Sequence, residues 1–76
     1  MQVKVDTPNQ FVATIGGATI EIDRDPTFPG RDFFILVWDQ YGGLRYEGWS
    51  PTSVNTMAEA VAETIQGAHL EREFER

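Results

Sequence analysis

Cysteine is absent from this 76-residue chain, histidine occurs once, and six Lys and Arg face twelve Asp and Glu. Each scarcity removes a class of function. Without cysteine there is no disulfide framework and no thiolate metal site, which fits a reducing compartment. Nucleophilic catalysis needs a nucleophile with a base beside it, and His69 is the one imidazole, near the end of the chain. The net charge of −6 argues against direct nucleic-acid binding, whose affinity comes from clustered cations releasing counterions from phosphates.

Long apolar runs are missing too. No stretch is long enough to span a bilayer, and Met1 to Asp6 lacks a basic segment followed by an apolar one. The chain therefore reads as one soluble, cytoplasmic domain, residues 1–76, complete as it stands. Its size lies near the lower limit for a self-sufficient core.

What is present is mostly strand pattern. Val3 and Val5 alternate with polar residues until Thr7-Pro8-Asn9 interrupts, which suggests a short edge strand. Gly16-Gly17 then stands between Phe11–Ile15 and Ala18–Asp23, two flanks alternating with period two. Paired glycines suit the positive φ of a two-residue hairpin turn. The expected register sets Ile15 against Ala18, Ala13 against Ile20 and Phe11 against Ile22 on one face. The other face carries Gln10, Val12, Thr14, Thr19, Glu21 and Asp23.

From Arg24 to Arg31 two prolines and a glycine break the ladder, and Phe28 is either tucked under the sheet or exposed. The most apolar segment follows, Asp32 to Asp39, returning through Gln40-Tyr41-Gly42-Gly43 into Leu44 to Trp49. Both alternating sets of the first strand are hydrophobic, so it asks for cover on two sides. Phe33, Ile35 and Val37 share a face with Leu44, Tyr46 and Gly48. Phe34, Leu36 and Trp38 share the other with Arg45, Glu47 and Trp49, where Trp38 can meet Arg45 and Phe34 can meet Trp49.

A helix is expected to start within Ser50 to Thr56, capped by Ser50 with Pro51 following, by Ser53, or by Thr56, whose spacing to Glu59 makes a capping box. Val54, Met57, Ala58, Val61, Ala62, Ile65 and Ala68 form its apolar stripe, opposite Asn55, Glu59, Glu63 and Gln66. The predicted architecture is α+β: a five-stranded, mainly antiparallel sheet of two successive hairpins and an edge strand, with one C-terminal helix packed on one face.

Chemistry-bearing motifs are few. Gly16-Gly17 and Gly42-Gly43 lie between strands rather than before a helix, so neither cradles phosphate. Asp23, Asp25 and Asp32 are interleaved with Arg24, Pro26, Pro29 and Arg31, which favours local ion pairing and turns over a calcium loop. No catalytic residue, metal site or cofactor is assigned. Two surfaces remain. One is the aromatic face Phe34, Leu36, Trp38, Arg45, Glu47 and Trp49, with Tyr41 at the hairpin tip; Trp, Tyr and Arg are the residues that dominate interfaces. The other is the acidic pair Glu59 and Glu63 on the helix, which together with Glu21 and Asp23 would make a patch complementary to a basic groove if they converge. The bland readings are intramolecular cover of the aromatic face by Phe28, Leu70 or Phe74, and a solvated acidic surface.

In size, charge and compact β-plus-helix layout the chain resembles the small, cysteine-free, acidic proteins that phages and mobile elements encode to block host complexes, anti-CRISPR proteins among them. That resemblance, together with the two surfaces, gives a first expectation: a non-enzymatic inhibitor or adaptor, monomeric or homodimeric, docking on a protein partner such as the basic surface of a nucleic-acid-handling complex. The alternative is a structural homo-oligomer that buries the same sheet face or the edge strand Val3 to Val5 against a second copy.

Overall fold

A computed structural model of the protein describes residues 1–25, 32–50 and 53–66. Five strands and a helix follow one another: β1 (Gln2–Asp6), β2 (Gln10–Ile15), β3 (Ala18–Arg24), β4 (Phe33–Trp38), β5 (Leu44–Trp49) and α1 (Met57–Gln66). The sheet order is β1-β2-β3-β4-β5, antiparallel throughout, so spatial order repeats chain order. This is the expected α+β layout.

The turns explain the register. Gly16 and Gly17 have φ of 56° and 89°, which only glycine adopts without strain, and the two-residue connection fixes Ile15 opposite Ala18, Ala13 opposite Ile20 and Phe11 opposite Ile22 as expected. Between β1 and β2, the Thr7 hydroxyl accepts from the N–H groups of Asn9 and Gln10 and donates to the Gln10 carbonyl. A register shift between Val3 and Val5 breaks the outer strand of that pair, a device that blunts an open edge. Where β3 leaves the sheet, the Asp25 N–H donates to the Asp32 carbonyl at 2.6 Å and closes the connection to β4. Phe28, Pro26, Pro29 and Arg31 lie outside the described residues.

At the β4–β5 tip, Asp39 organises the loop. Its Oδ1 accepts from the N–H of Tyr41 at 2.9 Å and of Gly43 at 2.8 Å, and its N–H donates to the Gly43 carbonyl at 2.8 Å. The loop's exit brings a correction. Val37 pairs with Tyr46 as expected, but a bulge then places Leu44, not Arg45, opposite Trp38. Arg45 turns to Asp39, with Nε 3.4 Å from Oδ2.

The core lies on one side of the sheet. Phe11, Ala13, Ile20, Ile22, Phe33, Ile35 and Val37 are buried there together with Val54, Met57 and Ala60 from the helical segment. Among the three candidate caps the helix uses Thr56: its hydroxyl accepts from the Glu59 N–H at 3.1 Å, while the Glu59 carboxylate receives the Thr56 hydroxyl and the Asn55 N–H. Ser50 instead prolongs the ladder by donating its N–H to the Phe33 carbonyl.

The helix is turned relative to the expected stripe. Met57, Ala60 and Thr64 are buried and Val61 and Ile65 half-buried, whereas Ala58 and Ala62 are exposed. Thr64 reads as polar in the sequence, yet its hydroxyl donates to the Ala60 carbonyl at 2.8 Å, which satisfies it locally and lets its methyl face the core. Ala68, Leu70 and Phe74 lie outside the described residues.

Candidate functional site

The face of the sheet turned away from the helix is built by strand alternation. Because Phe33, Ile35 and Val37 point to the core, Phe34, Leu36 and Trp38 must point the other way, and the same parity sends Glu21 and Asp23 of β3 and Glu47 and Trp49 of β5 to that side. Three rows cross it. Asp23, Phe34 and Trp49 form one; Glu21, Leu36 and Glu47 the next; Thr19, Trp38 and Leu44 the third. In the first row the Phe34 and Trp49 rings meet edge to face, with centroids 5.0 Å apart and planes at 65°.

Chemically this is an apolar strip along β4 with carboxylates on its flanks. Phe34, Leu36, Trp38 and Trp49 are each partly exposed. Glu21 and Asp23 border the strip on one side and Glu47 on the other, two strand spacings or about 9.5 Å across in the Leu36 row. Arg45 sits at the tip, held beside Asp39. Glu21 and Asp23 lie two residues apart on one strand face, close enough to share a hydrogen bond. That bond comes first in holding the Glu21 carboxyl above its usual range; partial burial and the neighbouring Asp23 charge follow. Asp23 is positioned in turn by Gln10, whose amide nitrogen donates to Oδ1 at 3.0 Å.

The remaining residues singled out in the sequence fall elsewhere. Tyr41 is 87% exposed at the β4–β5 tip, beside an open, mainly polar cleft of about 320 Å³ between the two hairpin tips that also includes Gly16, Gly17 and Arg45. The polar groups of that cleft are largely used by the turn. Asp39 spends its carboxylate on the loop N–H groups of Gly43 and Tyr41 and on Arg45, which together hold its carboxyl below the usual range. Glu59 and Glu63 lie on the outward side of the helix, and Glu59 is engaged in the cap. Since the helix covers the core side of the sheet, these two acids and the pair Glu21 and Asp23 occupy opposite sides of the molecule. They do not form one patch.

Among the described residues no three His, Cys, Asp or Glu side chains gather into a cation-binding set, and no helix is long and apolar enough to cross a membrane. His69 and the covering candidates Phe28, Leu70 and Phe74 are outside the described residues. The mixed character of the face, aromatic in the middle and acidic at both sides, was visible in the sequence only once parity was assigned. The rows Asp23–Phe34–Trp49 and Glu21–Leu36–Glu47 depend on β3 being the neighbour of β4, which no local signal gives.

Comparison with protein-family models, with curated proteins and with solved structures found no match, so the function has to be argued from this face and its neighbours.

Proposed function

We propose that this protein is a non-enzymatic binding module that docks on a protein partner through the sheet face opposite its helix, and so acts as an inhibitor or adaptor. One observation carries the reading: Phe34, Leu36, Trp38 and Trp49 stand side by side, partly exposed, on the side of the sheet that the helix does not cover. A single helix on a five-stranded sheet shields one side only, and an apolar strip on the other gains most by burial against another surface. Aromatic residues at its centre and carboxylates at its margin match the anatomy of an interface, where a dry core is ringed by polar groups.

The test is affinity capture with the wild-type chain and two variants, Trp38→Ala and the double variant Glu59→Lys/Glu63→Lys, each first checked for folding by circular dichroism. The reading expects Trp38→Ala to lose a partner that wild type and the helix variant both retain. Equal capture by every folded variant would remove this face from consideration.

Self-association is favoured by a different observation. Val3, at 46% exposure, lies on edge strand β1 opposite the buried Ala13, so the edge presents apolar surface that the helix leaves open. Light scattering over a concentration series separates the two readings. A constant mass near 8.6 kDa removes the homo-oligomer and leaves the face to a foreign partner or to cover within the chain, and a doubled mass supports the homo-oligomer.

A further inference from the structure

We infer that the segment received by this face is a cationic amphipathic α-helix of the partner, laid along β4 with its apolar stripe on Phe34, Leu36 and Trp38. This inference rests on the docking reading above and adds the partner's chemistry. Three features of the face lead to it.

The first is that a sheet face presents side chains, not backbone. The inner strands β2, β3 and β4 are each hydrogen-bonded to a neighbour on both sides. An extended segment placed on it would find no ladder to join and would leave its own backbone groups unsatisfied when buried. A helix brings those bonds with it.

The second is charge. Glu21 and Asp23 on one margin and Glu47 on the other flank the apolar strip, and Arg45 lies at the tip with its guanidinium beside Asp39. A partner that seals the strip also removes water from these carboxylates. An uncharged partner would leave them desolvated without a counter-charge, and an acidic one would add repulsion; only Lys or Arg at both sides of an apolar stripe meets the demand.

The third is size. Glu21 and Glu47 flank Leu36 at two strand spacings, about 9.5 Å, which is close to the 10–12 Å width of a helix with its side chains. From Phe34 to Trp38 the strip runs four residue steps, about 13 Å, the rise of roughly nine helical residues. A helix of two and a half turns or more thus covers the strip while its two polar margins reach the two acidic ones.

Trp38 and Trp49 are the chain's two tryptophans, and both belong to this face, so intrinsic fluorescence reports on it directly. The probes are three synthetic peptides of about 14 residues, long enough for four turns: Leu and Lys arranged with helical period, the same composition arranged to alternate, and Leu and Glu with helical period. The expected result is that the Leu/Lys helix alone shifts the tryptophan emission to shorter wavelength at low micromolar concentration, less so as salt rises. Glu21→Gln/Glu47→Gln should weaken it roughly tenfold, the equivalent of two lost charge contacts, and Glu59→Gln/Glu63→Gln should change it less than about twofold.

The inference is overturned if the alternating or acidic peptide binds as tightly, if the helix variant weakens binding as much as the sheet variant does, or if no peptide binds. Trp38→Ala keeps the two levels apart. If it abolishes binding while Glu21→Gln/Glu47→Gln does not, the face is a docking site and the cationic partner is wrong. If it leaves peptide binding unchanged, the docking reading itself fails.

Discussion

The orientation of α1 decides which alanines are core, and it can be tested by adding the same side chain at two positions half a turn apart. Ala60 is 0% exposed within the cluster that includes Phe11, Ile20, Ile22 and Phe33; Ala62, two residues on, is exposed. Leucine and alanine are both good helix formers, so Ala→Leu leaves intrinsic propensity almost unchanged and isolates packing. At Ala60 the extra carbons enter a filled core and force neighbours off their rotamers, a cost of about 1–3 kcal/mol. At Ala62 they enter solvent, with an effect of about 0.5 kcal/mol or less in either direction. The assay is urea unfolding followed by tryptophan emission. With a slope of about 1 kcal/mol per molar urea, expected for so small a chain, Ala60→Leu should lower the midpoint by about 1–3 M and Ala62→Leu by less than about 0.5 M. Such a loss is a large part of a total stability of about 4–11 kcal/mol for this length. Equal shifts, or a larger one at Ala62, would show that the helix presents the other side and that Thr64 is not on the core side.

Three further outcomes are expected. Because Glu21 is held above its ordinary value of 4.5, its protonated form is favoured by folding: the stability it contributes is full below about pH 4.5 and is lost as pH rises through the higher folded value. Glu21→Gln, which keeps a donor toward Asp23 and removes the repulsion, should therefore stabilise the protein at pH 7 by about 0.5 kcal/mol, and thermal melts should show that gain vanishing in acid. Thr56→Ala removes the side chain that receives the Glu59 N–H and should cost about 1 kcal/mol, read as a lower melting temperature with unchanged strand signal. Gly17→Ala places a Cβ 3.3 Å from the Gln40 Cβ at a φ of 89° and should cost more than Gly42→Ala, where φ is 83° but no atom lies within 4 Å; each pays about 1–2 kcal/mol for the left-handed backbone alone, measured by chemical unfolding.

The hairpins were legible because their signals are local and mutually consistent. Two glycines between alternating flanks leave one register that buries Phe11, Ile20 and Ile22 together, and a slip by one residue would bury Glu21 and Asp23 instead. The cap was legible as one of three alternatives, and the Thr56–Glu59 spacing distinguishes the one that forms. What the sequence concealed has physical reasons as well. Alanine fits either side of a helix, so Ala58, Ala60 and Ala62 carried no information about rotation, and Thr64 counted against the true core side although its hydroxyl is satisfied within its own turn. The bulge that moves Trp38 from Arg45 to Leu44 follows from how the Asp39 carboxylate folds the tip, an arrangement of loop N–H groups that residue types alone do not specify. For the candidate site, the apolar members Phe34, Leu36, Trp38 and Trp49 were readable from β4 and β5. The acidic margin on β3 was not assigned to the same strip, and the separation of Glu21 and Asp23 from Glu59 and Glu63 depends on which side of the sheet receives the helix.

Because the strands lie in the sheet in the order in which they are synthesised, each one emerging from the ribosome finds its pairing partner already made and immediately behind it. No strand waits for a distant one, and loop closure is cheap at every step. The helix is the exception. Among the described residues the cover over Phe11, Ile20, Ile22, Phe33, Ile35 and Val37 comes from Val54, Met57 and Ala60, all of which follow the last strand, so throughout strand assembly the sheet is hydrophobic on the side that will become its core. The vulnerable interval in the life of this chain is therefore not the search for a register but the delay before the last element docks, and a chain interrupted ahead of Met57 should accumulate as aggregate rather than as a weakened binder.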